Sequence, residues 1–403
     1  MKIDLASSAH AADPLPIFNA LRVQGDVVQI KLPIIGKVWL TISYEATAAM
    51  LKASDRFSMR DPSKGEQVAG MTWWMPTTIR LLANNMLTSD EPDHRRLRKL
   101  VDQAFQRRAI NQLETRVTVL AHELIDAFPK NQPVDLVENY ARKLPLMVIC
   151  ELLGLGEAET QSFAQEAAMM TSVTGIWSFI RALRPLWKIR RQLQRIVGEE
   201  KLRQQQGEFR KGLITELVRT EMDGDRLSEE ELIAMIFLLL IAGHETTTHM
   251  ISGSVLTLFE NPDQRVVLSA QPERIDLAVE ELLRYVSAVQ MSKPRIVGWA
   301  GDFHGVHLKK GDKVMACLGA ANRDPVHYTN PDKLILDRKP NPHLEFGTGI
   351  HFCLGLQLAR LELRVALQVL LERLPGMQLA EPEPEWNNRM GLRSLKHLHI
   401  VGA

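Results

Sequence analysis

Residues Leu232 to Ala242 form an unbroken apolar run of 11 residues, and the next six, Gly243-His-Glu-Thr-Thr-Thr248, turn polar without any loop signal between. A helix that is apolar on every side has to be enclosed by protein. Eleven residues fall well short of the roughly 20 that cross a bilayer, so the run reads as a core helix. The chain must therefore build layers of structure around one buried rod, and that rod carries an acid and hydroxyls at its polar end. Gly243 costs about 1 kcal/mol relative to Ala within a helix. Local propensity is given up at one point, as functional sites often require.

The surrounding pattern supplies the layers. Residues 27–43, rich in β-branched residues and broken by Pro33 and Gly36, read as a hairpin. From Ser89 to about Gln205 apolar residues recur at three- and four-residue steps, as they do over 225–258, 273–286 and 355–374. Residues 295–318 switch to short β-like runs, and an irregular Pro-rich stretch follows to Gly355. No repeat, linker or strand–helix alternation interrupts this, so the expected fold is mostly α with minor β, one compact domain over 1–403. The 403 residues carry 49 Lys+Arg against 48 Asp+Glu, which excludes a global field suited to nucleic acid. Three cysteines make no disulfide framework and fit a reducing, cytoplasmic setting. The N-terminus has no apolar run long enough for a signal sequence.

The sharpest local motif is Phe346-Gly-Thr-Gly-Ile-His-Phe-Cys-Leu-Gly355. Its single Cys353 sits in a glycine-rich loop directly before a long amphipathic helix. Glycines allow tight turns and close approach of a flat ligand. A helix N-terminus favours thiolate over thiol, and a thiolate in such a loop is suited to be an axial ligand of haem iron. Cys150 and Cys317 lie in apolar runs and read as structural. In the core helix, Ala242 and Gly243 leave room for a diatomic ligand, and a Thr hydroxyl can bond the carbonyl four residues back and open the helix. A His-Glu-x-x-His zinc site is incomplete here: position 248 is Thr, and His249 lies about 140° around the helix from His244.

The Cys353 loop resembles the haem-binding signature of the cytochrome P450 monooxygenases, and four further motifs occur in that family's order. Ala242-Gly243-x-Glu245-Thr246 resembles its oxygen-activation motif. By that match Glu245 relays protons and Thr246 hydrogen-bonds dioxygen. Glu281-Leu-Leu-Arg284 resembles its structural ion pair, whose third member is open among Arg323, Lys333 and Arg338. His94, Arg98, Arg295 and His351 match donors to the haem propionates, and Phe346, Gly347 and Gly355 match the loop that cradles the ring. The resemblance implies a haem-thiolate monooxygenase with haem b, Cys353 as iron ligand and O2 as co-substrate. The substrate would be apolar and small or medium-sized, hydroxylated or epoxidised. No Gly-x-Gly-x-x-Gly fingerprint is present, so electrons are expected from a separate ferredoxin and reductase, the ferredoxin docking near Arg95, Arg96 and Lys99. The chain is expected to be a monomer without membrane anchor. Candidate substrate contacts are Trp73 and Trp74 in the segment 71–76, the segment 169–177, and Val289 and Met291. Two other readings stay open: a peroxide-driven haem-thiolate enzyme, and a haem gas sensor or carrier.

Overall fold

The structure is a computed structural model that describes residues 3–33, 35–61, 67–68, 76–130, 132–170, 176–222 and 227–402. Its axis is the helix Glu229–Glu260. Ser228 caps that helix by accepting from the Glu231 N–H, and the Glu231 carboxylate reaches back to the Ser228 N–H. This reciprocal box fixes where the helix begins. The helices Lys143–Leu153, Ile275–Val286 and Leu356–Arg373 pack around it. By length and composition the Glu229–Glu260 helix is apolar enough to cross a membrane, but most of its apolar stretch is buried in the protein. It is the core helix the sequence calls for.

Gly243 has a packing role that the sequence did not reveal. A Cβ at this position would stand 2.9 Å from Ile149 Cγ1 on the helix Lys143–Leu153. The missing side chain lets two helices approach closely, so the small residue serves helix contact as well as open space.

The β portion is minor, as expected. The hairpin Val27–Leu32 and Gly36–Thr41 pairs from Val27↔Thr41 to Leu32↔Gly36. Strand Lys313–Ala316 joins Gly36–Thr41 in parallel, then Arg295–Val297 and Phe57–Ser58 complete a five-stranded sheet. A second sheet corrects the continuous helical reading of Ser89–Gln205. Val134–Asp135 pairs with His399–Val401, which pairs with Gln378–Leu379. A two-residue strand is too short to carry a period of its own, so the flanking helices mask it.

One apolar cluster fills the space between the helices, and two smaller clusters lie against the large sheet. Between the helical and sheet-bearing parts a cavity of about 700 Å³ remains.

Candidate active site: a cavity between a cysteine loop and the core helix

The cysteine loop is shaped by backbone demands. Gly347 and Gly349 both hold positive φ, at 66° and 78°. A Cβ on Gly349 would overlap the Leu51 carbonyl, so only glycine fits there. The loop closes on itself through Cys353 N–H donating to the Phe346 carbonyl at 2.9 Å. The Arg360 guanidinium lies 4.8 Å over the Phe346 ring. The helix Leu356–Arg373 then starts directly behind the loop. Burial pushes the Cys353 thiol up, while the Gly355 N–H and Arg98 pull it partly back. In the protein alone, burial therefore outweighs the helix-terminus effect that the sequence pointed to.

Across the cavity stands the core helix. Its accessible positions in mid-run, Ala242, Gly243, Glu245 and Thr246, all line the cavity. Thr246 Oγ1 donates to the Ala242 carbonyl at 2.9 Å, the back-bond expected of a helical threonine. Arg389 donates to Glu245 at 2.5 Å from a loop 144 residues away in sequence. Burial pushes the Glu245 carboxyl up, but the Arg389 guanidinium outweighs it and holds the carboxyl below its usual range. Glu245 is thus ionised at neutral pH and tethered at one oxygen.

A cluster of two histidines and two arginines forms a third wall. The His94 and His351 rings meet edge to face at 4.6 Å, and Arg98 and Arg295 stand close enough to depress His351. Burial, then Arg295, His94 and Arg98, push His351 down to about 3. Burial also brings Arg295 down to about 10. Among the described residues, His94 Nδ1 and His351 Nε2 are buried without a hydrogen-bond partner. The nearest acid to His94 is Glu91, at 3.7 Å. Arg98 also serves the fold directly, donating to the Ile350 and Phe352 carbonyls at 3.2 and 2.7 Å and so tying its helix to the cysteine loop. Buried donors without partners beside a mostly apolar cavity suit a flat apolar group with carboxylate substituents. A sulfur at the floor of the same cavity suits a metal at the centre of that group. The residues present therefore fit a haem.

The cavity gathers the described residues expected to touch haem and oxygen, including Phe346, Gly347 and Gly355, together with the substrate candidates Val289 and Met291. Trp73, Trp74 and residues 171–175 lie outside the described residues. Glu281 and Arg284 do not line the cavity; they lie fully buried behind it. Arg284 donates to both oxygens of Glu281 at 2.8 Å. Arg338 is the third member, donating to the same carboxylate at 3.0 and 3.2 Å. The other two candidates do different things: Arg323 stacks 3.6 Å over Tyr285, and the Lys333 side chain is exposed. Near the cysteine loop, Arg95 and Lys99 are exposed, but Arg96 is held by Asp93 and by Glu231 of the core helix. Arg96 is a structural link between two helices rather than a free surface charge.

These features can be set beside known proteins. The sequence model of the family described as Cytochrome P450 matches residues 63–267 and 274–393. The chain belongs to the cytochrome P450 family. It is 37% identical over 389 residues to the mycinamicin IV hydroxylase/epoxidase of Micromonospora griseorubida, covering 95% of this chain and 94% of that one. It is 38% identical over 379 residues to the vitamin D(3) 25-hydroxylase of Pseudonocardia autotrophica, covering 94% and 90%. Among solved structures, the polyketide synthase cytochrome P450 PksS of Bacillus subtilis superposes with a TM-score of 0.89 at 32% identity over 100% of both chains. The protein is thus a P450 monooxygenase: it has the P450 fold, and its family binds haem, uses O2 and works with redox partners on small molecules.

Sequence reasoning missed four charged residues: Glu362, Glu345 and Lys293 line this cavity, and Arg389 holds Glu245. Glu362 lines the cavity from the helix Leu356–Arg373, and burial pushes its carboxyl well above the usual range, with the Thr247 hydroxyl as counterweight. The available signal was a charge among Leu358, Leu361 and Val365 on the apolar face. Glu345 accepts from the Val289 N–H at 3.1 Å, and burial pushes it up to about 8. Arg389 gave no signal, because its partner is remote in sequence.

Proposed function

We propose that this P450 binds haem b, whose iron the Cys353 thiolate would hold, and inserts one oxygen atom of O2 into an apolar small or medium-sized substrate. The observation that carries this reading is the shared cavity, with the Cys353 loop on one side and Glu245 and Thr246 on the other. When bound, the haem supplies the activation of dioxygen and the oxidising power. His94, Arg98, Arg295 and His351 would hold its two carboxylates. Phe346, Gly347 and Gly355 would lie against the ring on the thiolate side. The Leu238, Ile241 and Met250 side chains help keep water from the reacting face.

Glu245 and Thr246 move protons. Glu245 is ionised and held by Arg389. To deliver a proton its carboxylate must first take one up and turn from Arg389 toward Thr246. The Thr246 hydroxyl, which already donates along the helix, then passes a proton into the cavity. A sensor or carrier gains nothing from such a pair, and a peroxide-driven enzyme has no need of it. Electrons would come from a ferredoxin-type donor, with Arg95 and Lys99 as exposed cations beside the cysteine loop.

The test is the absorption spectrum of the reduced protein with carbon monoxide, for wild type and Cys353→Ser. The expected result is a strongly red-shifted Soret band, absent from the variant. A band typical of histidine ligation in the wild type overturns the thiolate reading. Product formation with NAD(P)H and ferredoxin, and not with peroxide alone, separates the peroxide-driven alternative.

A further inference from the structure

Lys293 lies in the extended segment between Met291 and Arg295, at the wall of the cavity. The segment is fixed on both sides. Ser292 N–H donates to the Ala316 carbonyl at 2.9 Å, and the Ala316 N–H donates to Ser292 Oγ at 2.9 Å. Pro294 follows and restricts the backbone of Lys293 itself. The Lys293 side chain keeps exposed surface although protein atoms pack densely around it, and it lines the cavity wall.

Among the described residues, its ammonium makes no ion pair or hydrogen bond. Of the acids at the cavity, Glu245 is paired with Arg389, while burial pushes the carboxyls of Glu345 and Glu362 up and so disfavours the charge an ion pair would need. Burial alone lowers Lys293, with no charged group among the described residues acting on it. In the cluster near the cysteine loop, by contrast, Arg98 helps to lower His94, and Arg295, His94 and Arg98 help to lower His351. Lys293 thus stands electrostatically apart from the group suited to the haem carboxylates. An enclosed cation without a partner is destabilising, and proteins rarely retain one unless a ligand completes it. Its neighbours Val289, Met291 and Met390 are apolar, so a ligand meeting them would carry a hydrocarbon body with one acidic end.

We propose that Lys293 is a specificity-determining residue that binds a carboxylate on the substrate, so that this enzyme takes apolar carboxylic acids in preference to their neutral counterparts. This rests on the haem-thiolate reading above and narrows it. In that pose the ion pair fixes one end of the substrate at the sheet-side wall. The hydrocarbon chain then runs toward Ala242 and Thr246.

The test uses the haem-loaded protein and matched pairs: octanoate and octanol, dodecanoate and dodecanol, hexadecanoate and hexadecanol. Binding is read as the Soret spin-state shift and by calorimetry, so turnover is not needed. The expected result is at least one acid binding roughly tenfold or more tighter than its alcohol, the scale of an enclosed charge pair. Lys293→Met should reduce that ratio to below about threefold, and Lys293→Arg should restore most of it. Haem content and the carbon monoxide spectrum should be the same in all three proteins. No acid preference in any wild-type pair overturns the proposal, as does a preference that survives Lys293→Met. Loss of haem from Lys293→Met also overturns it, placing the ammonium on a haem carboxylate. A wild type without the red-shifted carbon monoxide band would instead refute the haem-thiolate reading, independently of the acid-to-alcohol ratio.

Discussion

Replacing Glu281 by Ala strands a buried cation, and the cost can be worked from its contacts. The carboxylate accepts from Arg284 twice at 2.8 Å, from Arg338 at 3.0 and 3.2 Å, from Asn341 Nδ2 at 3.2 Å and from the Ile335 N–H at 3.0 Å. Without it, fully buried Arg284 keeps only neutral acceptors, mainly the Asn322 and Pro331 carbonyls at 2.8 and 2.9 Å. Removing one partner of a buried pair destabilises by about 3–5 kcal/mol. Folded domains hold about 5–15 kcal/mol in all, so the loss is a large fraction. Unfolding entropy near 2.1 cal/mol/K per residue converts it to a fall in Tm of about 4–6 °C for a chain of this length. Calorimetry or thermal melts on wild type, Glu281→Ala and Glu281→Ala/Arg284→Met measure it. Because the stranded charge is the main cost, the double variant should recover part of the loss. A double variant less stable than Glu281→Ala would refute that reasoning. So would a single variant within about 0.5 kcal/mol of wild type, the range of ordinary surface changes.

Three further outcomes follow from the same structure. Glu245→Gln removes the acid but keeps the shape, so turnover should fall by about 10²-fold or more while substrate affinity, read by spectral titration, stays near wild type. Glu280 accepts from Arg360 Nε at 2.6 Å and from His343 at 3.2 Å. Burial opposes its ionisation, but those partners hold it down to about 2. Its folded pKa is depressed, so its stabilisation is whole above about 4.5 and is lost as pH falls toward 2. Melts across that window should therefore show a shallower acid limb for Glu280→Gln, and an unchanged limb would refute the assignment. Gly349→Ala places a side chain against the Leu51 carbonyl at φ 78°, so haem retention and Tm should both drop, by an amount set by about 1–3 kcal/mol of backbone strain.

The parts of the fold and site that could be read from sequence share one property: their signal is local. The core helix declares itself by an apolar run that turns polar without a loop signal. The loop declares itself by glycine spacing, and two of those glycines do hold backbone that other residues avoid. The hairpin at 27–41 has both strands within one short window. What was hidden depends on partners far along the chain. The strand Val134–Asp135 exists because His399–Val401 returns to it. Arg338 could not be chosen over Arg323 or Lys333 without knowing which guanidinium points at Glu281. Arg96 looked like a surface charge until Glu231 was found across from it. Arg389 and Lys293 were invisible for opposite reasons: one has a remote partner, and the other has none among the described residues.

The close contact at Gly243 and Ile149 bears on how this catalyst can be retooled. Two helices packed at that distance leave little room between them, and a side chain added at Gly243 meets Ile149 at once. A redesign aimed at new products is better directed at the opposite walls. The segment Val289–Lys293 and the turn Met390–Leu392 border the same chamber from loops and strand edges. These are the surfaces where side chains can be exchanged for size and charge while the proton-handling face keeps its registration.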